Sequence, residues 1–487
     1  MSEQVSPAHN DPAASAPGFR RLTRDSLIYG AGTFSGKAIG LLLFPILARV
    51  LSRTDYGLLD VLWSLGTGVA GVLVFGLDAA TVRLYFDETA QDRADLLATW
   101  RAILGMTAIL AGVALVAAAP WITTWVYGTR ADPSTALALA LIVPATLANY
   151  FLVTVLRTTG RPVAYALVTV ATFVMYSVVI IGSAAGGWAT IASTMVAWGL
   201  SLATTSVLGF WLLRSTTFGH VRRAAAGRLL RYGLPLAPVL AITLASDFIH
   251  RAVLLTGSGA VEVAHLTVAL RFASILALVV AAFQLAWQPR VFAMGTSSLA
   301  VQRMATDARR FLALAAGAAL GLGVLAPLLL PIVAGEPYRV AVPTVGWCLA
   351  AALLGGAYAM AITASTIRKR PAHITRSTVT GIGVAVAFNV VLAPRFGSAG
   401  TGASLVAGQA VAVIVVALAT RGALVLPGPW LPTGLVVVTT SVATIACTAG
   451  LPAGIGIATI VIAGIALGLD PTVRDIVALA VRRWRHA

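Results

Sequence analysis

From about residue 25 to residue 469 the chain alternates long apolar stretches with short polar ones. Each stretch is a run of Leu, Ala, Val, Ile and Gly of roughly 20 residues, the length a helix needs to cross the hydrocarbon of a bilayer. The pattern predicts spans at 25–50, 57–78, 98–119, 134–156, 162–183, 187–213, 232–256, 263–289, 309–333, 343–365, 371–392, 398–420, 431–450 and 452–469. Only Gly450-Leu451 separates the last two, so whether 431–469 holds two full spans stays open. A membrane barrel would alternate apolar and polar residues over segments of about ten. That pattern is missing here. The expected fold is all-α, a polytopic membrane protein with about 14 transmembrane helices. The Pro-, Ala- and Ser-rich residues 1–19 lack the basic start and apolar core of a signal peptide and read as a disordered cytoplasmic tail. Residues 471–487 read as a basic cytoplasmic tail.

Charged residues make up 10% of the chain, against about 25% in a soluble domain, which excludes a water-soluble fold. The net charge of +17 would suggest nucleic acid in a soluble protein. Here the basic residues sit at the ends of apolar runs, so anionic membrane lipid is the expected partner and nucleic acid is not. With the N-terminus placed in the cytoplasm, 26 of the 34 basic residues fall on inner segments and five on outer ones. Both termini are therefore expected on the cytoplasmic side of the cytoplasmic membrane. Cys348 and Cys447 lie in apolar runs and form no framework. The six histidines show no metal spacing, and no GxxxxGK[ST] loop occurs, so no cofactor is expected. The longest predicted loops, near 79–97 and 214–231, are about 20 residues, too short for a catalytic domain. An enzyme is not expected.

Two local matches suggest an internal repeat. Arg161-Pro162 and Arg370-Pro371 each lead into a helix, and Tyr29-Gly30 and Tyr232-Gly233 each open one. Their offsets, 209 and 203 residues, are similar. The expected division is an N-terminal six-helix bundle at 20–215, a C-terminal one at 216–421, and two additional helices at 422–470. Parallel repeats flanking a site are a common transporter design.

Three stretches carry a resemblance. They are Leu47-Ala-Arg-Val-Leu-Ser-Arg-Thr-Asp-Tyr-Gly57, Phe75-Gly-Leu-Asp-Ala-Ala-Thr-Val-Arg-Leu-Tyr85 and Leu230-Arg-Tyr-Gly-Leu-Pro-Leu-Ala-Pro238. With Tyr29-Gly-Ala-Gly, they resemble the polysaccharide flippases, O-antigen flippases included, of the multidrug/oligosaccharidyl-lipid/polysaccharide exporter superfamily. The resemblance implies two bundles forming a V around a central cavity. It also implies an undecaprenyl-diphosphate-linked oligosaccharide as substrate, moved from the inner to the outer leaflet.

Charges inside apolar spans are costly and usually face a cavity or a partner. Lys37 lies mid-span on a face with Thr33 and Gly40. Asp247, His250 and Arg251 share one face of the seventh span, and Arg271 lies at similar depth on the eighth. Lys37, Arg251 and Arg271 are the candidate cationic cavity that meets the diphosphate. Asp247 and His250 are candidates for coupling or for an ion pair, with Arg251 or Arg271 as the partner of Asp247. Each of these charges also has a purely structural reading, as a snorkelling or packed ion pair. Asp78 and Arg83 match the second motif and are the candidate cytoplasmic gate, or else a helix-end pair worth little. Tyr56, Trp63, Trp121, Trp125 and Tyr127 are expected as interface anchors.

The expected activity is translocation of a lipid-linked oligosaccharide by alternating access, with a polysaccharide polymerase or glycosyltransferases as candidate partners. Alternatives are a lipid II or teichuronic-type exporter, a cation-coupled drug exporter, and a non-transporting scaffold of a polysaccharide synthesis complex.

Overall fold

A computed structural model describes residues 19–128, 133–213, 219–235, 237–294, 298–367, 371–420, 430–449 and 458–465. The predicted tails, apart from Phe19, lie outside the described residues, as do Arg368-Lys369-Arg370 and most of the fourteenth span. No strand occurs among the described residues.

The apolar runs are helices. They are α1 (Phe19–Val50), α2 (Arg53–Leu73), α3 (Leu77–Tyr85), α4 (Ala90–Tyr127), α5 (Pro133–Thr158), α6 (Pro162–Ala185) and α7 (Ile191–Leu213). There follow α8 (Arg223–Gly233), α9 (Ala237–Ser258), α10 (Ala260–Met294), α11 (Ser298–Ala334), α12 (Val342–Ile367), α13 (Pro371–Ala419) and α14 (Trp430–Thr448). Among the described residues, ten helical stretches are long and apolar enough to cross a membrane. One is α13, whose two arms meet at Gly397, where φ 56° and ψ −138° interrupt the helix. Those arms take the places of the eleventh and twelfth predicted spans, and residues 458–465, inside the fourteenth, are helical.

Local chemistry sets the helix ends. Ser52 Oγ accepts from the Asp55 backbone N–H at 3.0 Å and donates to the Asp55 carboxylate at 2.7 Å, a reciprocal cap that starts α2. Thr89 and Asp92 repeat the device at the start of α4. Phe75 and Gly76 both adopt positive φ, 53° and 67°, which ends α2 and restarts the chain as α3. Pro162 and Pro371 each stand first in a helix, where the missing N–H is harmless.

Three of the expectations fail here. The segment 79–97 is not a loop: it holds most of α3 and the start of the 38-residue α4. Within 214–231, residues from Arg223 onward form most of α8. Charge marks where a chain leaves the apolar medium, whereas a helix continues until a cap or a left-handed residue stops it. Tyr232-Gly233, expected to open a span, instead closes α8.

On α4 the side chains of Met106, Ile109, Leu110, Val113 and Val116 are all more than half exposed. They recur at helical spacing as one apolar stripe, as a lipid-facing helix requires. The opposite faces are packed: Trp100, Leu96 and Leu97 are fully buried, with Phe151 of α5 against Trp100 at 4.8 Å between centroids.

Two groups of helices meet along a seam. In the first, α1 packs on α6, α6 and α5 on α7, and α4 on α5. In the second, α9 packs on α13, α13 on α12, and α12 on α10 and α11. Across the seam α2 lies against α9 and α10, and α1 against α10. α14 packs on α11 and α12, on the flank of the second group.

Candidate functional site

The seam is where embedded charge collects. Asp60, one turn into α2 from Tyr56, is buried at 7% exposure. Arg251 Nε of α9 donates to Asp60 Oδ2 across the seam. Thr267 Oγ1 of α10 donates to the same oxygen at 2.7 Å. One carboxylate therefore joins three helices. The pair is shielded, with side chains 13% and 9% exposed, so the ions are bound to each other and not to water.

Asp60 is not among the sequence candidates, and its place corrects two of them. Arg251 is a bound cation, not a free one in an open cavity. Asp247, proposed as its partner, has a side chain 80% exposed and reaches Arg251 Nη1 only at 4.0 Å, while its backbone carbonyl accepts from that nitrogen at 2.9 Å. The shared face of Asp247, His250 and Arg251 does exist on α9, but it meets α2 instead of forming a closed triad. His250 is buried, and its backbone carbonyl accepts from Asn389 Nδ2 of α13 at 3.1 Å.

Small residues allow the helices to approach this closely. Asp60 can reach α9 and α10 because a Cβ at Gly57 would collide with the Ala260 carbonyl oxygen. The motif around Leu51-Ser-Arg-Thr-Asp-Tyr-Gly57 thus has a physical content: Ser52 and Asp55 start the helix, and Gly57 lets it close on α10. At the same end Arg49 Nη2 donates to the Ile332 carbonyl, and Tyr56 packs edge-on against Tyr338 at 6.4 Å. Trp125 meets Phe248 at 6.0 Å. The seam is closed at the α1–α2 end.

Below the ion pair lies a cavity of about 60 Å³. Its lining includes Gly40 and Phe44 of α1, Tyr56, Asp60 and Trp63 of α2, Phe173 and Tyr176 of α6, Trp198 of α7, and Arg271 of α10. Arg271 is thus one of the residues lining this cavity. It acts electrostatically on Tyr56, Asp60 and Tyr176. Lys37 sits one turn before Gly40 on α1; its side chain lies outside the described residues. On the same turn-to-turn face, Thr33 Oγ1 bonds the Tyr165 hydroxyl of α6 at 2.9 Å. Two predicted anchors are elsewhere: Tyr56 is buried in the seam and Trp63 lies in the aromatic wall of the cavity. Trp121, by contrast, is 73% exposed.

At the opposite end of α2, Asp78 and Arg83 line one cavity of about 440 Å³ together with Val82, Phe86 and Arg157. They do not pair. Arg83 Nη1 bonds Asp87 at 2.6 Å, a partner four residues on, and Asp78 Oδ1 is buried with no hydrogen-bond partner among the described residues. A spacing of five places side chains on different faces, whereas four places them together.

The second and third motifs meet here: Gly233, at the end of α8, packs on Phe75, Gly76 and Leu77. α8 and its start are pinned by charge to α4 and to the α3–α4 connection. Arg222 lies 2.5 Å from Asp95, which is buried at 1%, and Arg228 lies 3.0 Å from Glu88. The His220 backbone N–H also donates to Asp95, at 2.7 Å. Among the described residues no group of His, Cys, Asp and Glu could hold a metal, and Cys348 and Cys447 are free.

Comparison with solved structures gives the same arrangement of helices. An inward-closed lipid II flippase MurJ aligns with TM-score 0.69 and 12% identity, over 93% of this chain and all of that one. The MATE multidrug transporter DinF-BH aligns with TM-score 0.60 and 12% identity, over 86% and 98%. A transporter of the MOP superfamily from Pyrococcus furiosus aligns with TM-score 0.55 and 16% identity, over 82% and 95%. A search of curated protein sequences finds no match. The polysaccharide biosynthesis protein family model matches residues 22–295. That is more than half of the sequence, and the chain belongs to the polysaccharide biosynthesis protein family, a polytopic all-α membrane protein with the fold of the MOP exporters.

Proposed function

We propose that the protein is a flippase that moves an undecaprenyl-diphosphate-linked oligosaccharide across the cytoplasmic membrane by alternating access. The observation that carries the reading is Arg271, placed in a cavity on a closed seam between two groups of helices. A half-buried guanidinium lining a cavity is suited to an anionic headgroup that must leave water. Arg251 is neutralised by Asp60, which leaves Arg271, with Lys37 on α1, as the cationic side of the path. The lipid tail stays in the bilayer while the headgroup passes along the seam, and rocking of 20–215 against 216–421 exposes it to each side in turn. In this reading both termini lie in the cytoplasm, the α1–α2 end faces outward, and a seam closed at that end is an outward-closed state. Asp78, Arg83 and Arg157 then line the inner entrance, and Asp247 and His250 flank the ion pair that must part when the outer end opens. Anionic lipid meets the basic inner segments, and a polymerase or glycosyltransferases supply or receive the glycan.

A lipid II-type substrate is the second reading, supported by the similarity to the lipid II flippase; it presents the same diphosphate to Arg271. The test is to measure lipid-linked oligosaccharide in each leaflet of a deletion strain. Accumulation in the inner leaflet, reversed by the wild type but not by equally expressed Arg271→Ala or Lys37→Ala, is the expected outcome. Normal surface polysaccharide without accumulation would overturn the reading.

A further inference from the structure

Four aromatic rings, Trp63, Phe173, Tyr176 and Trp198, line the same cavity as Arg271. Trp63 and Trp198 lie 4.9 Å apart at 30°, and Tyr176 meets them at 5.8 and 5.2 Å. Phe173 meets Trp198 at 5.5 Å. Like Trp100 in the packed core, this cluster carries polar tips unpartnered among the described residues, but its residues line a cavity shared with Arg271. Tyr176 is 4% exposed and its hydroxyl has no hydrogen-bond partner among the described residues, nor has the indole N–H of Trp198. Packing alone would be served equally by rings without polar atoms, which carry no desolvation penalty. Tyr and Trp at this wall combine apolar faces with two unmet hydrogen-bonding groups.

We propose that Trp63, Tyr176 and Trp198 form a sugar subsite that receives the hexose or N-acetylhexosamine ring attached directly to the diphosphate. The proposal rests on the flippase reading above. A pyranose ring has an apolar C–H face and a rim of hydroxyls. The indole faces match the first, and the Tyr176 hydroxyl and Trp198 N–H match the second. Arg271, lining the same cavity, meets the phosphate one bond away from the ring. Asp60 is the acid in the lining, but Arg251 and Thr267 already occupy it, so the site does not favour an organic cation. In the closed seam the cavity of about 60 Å³ has room for water molecules only, so a sugar ring must enter another state. The wall belongs to α2, α6 and α7, and Arg271 is the residue lining it from α10. Parting α10 from α1 and α2 therefore uncovers the rings as one surface.

The test uses the purified full chain in lipid nanodiscs and two probes, farnesyl diphosphate and farnesyl diphosphate carrying N-acetylglucosamine. Binding is read by tryptophan fluorescence and confirmed by calorimetry. The wild type is expected to favour the glycosylated probe by about tenfold, the weight of one aromatic contact. Trp198→Leu and, separately, the milder Tyr176→Phe should reduce that preference, while Arg271→Ala weakens both probes together. Equal affinities in the wild type, or a parallel loss of both probes in Trp198→Leu and Tyr176→Phe, would overturn the subsite but leave the flippase reading intact. Binding of neither probe by the wild type would overturn both.

Discussion

Replacing Asp60 by Leu tests the seam directly. Its carboxylate is the acceptor for Arg251 and Thr267, and both ions of the pair are nearly removed from water. Removing one partner of a buried pair costs about 3–5 kcal/mol, because the other charge stays behind unpaired. Some of that is recovered here. Arg251 keeps the Asp247 carbonyl at 2.9 Å and its carboxylate at 4.0 Å, and an exposed ion pair of that kind is worth under about 1 kcal/mol. The expected loss for Asp60→Leu is therefore about 3 kcal/mol, with a similar one for Arg251→Met. The double variant buries two apolar chains in place of two ions and should lie near the wild type. Unfolding of the purified protein by SDS titration in mixed micelles gives the four free energies. Additive losses, with a coupling below about 0.5 kcal/mol, would refute the idea that this pair holds α2 to α9.

Other substitutions probe the remaining joints. Asp95→Ala removes the buried acceptor of Arg222 and of the His220 N–H, and should cost about 2–3 kcal/mol. Asp92→Ala, whose carboxylate is 37% exposed and 3.8 Å from Arg222, should cost under about 1 kcal/mol. Trypsin cutting after Arg222 or Arg223 reports the difference, and equal rates in the two variants would count against the docking of α8. Gly397→Ala should cost about 1–3 kcal/mol in the same SDS titration, since its φ and ψ are open essentially to glycine alone and its Cβ would meet the Glu262 carboxylate.

The spans were legible because a bilayer imposes one length and one composition on every helix that crosses it. The helix starts at Pro162 and Pro371 were legible, because Pro loses nothing at a first helical position. Asp60 was not, although a lone acid within Leu58-Leu-Asp-Val-Leu62 is the kind of residue that needs a partner. Its partners lie 191 and 207 residues away, and periodicity within one helix says nothing about what another helix presents. The same limit explains Trp63, read as an interface anchor from its distance along the helix, when rotation about the helix axis decides its surroundings. Arg83 was assigned to Asp78 from a shared motif, yet Asp87 has the spacing that faces it.

The docking of α8 bears on how far the two groups of helices can travel. α8 is fastened to α3 and α4, and only three residues lie between Gly233 and Ala237, where α9 begins. Fully extended, they reach about 10 Å. The near end of α9 is thus on a short leash, whatever happens at its other end. Displacement must grow with distance from that leash, so the chain's own connectivity selects a swing about one end over a slide along the seam. The pivot is covalent, and lengthening it would loosen the stroke without touching the path.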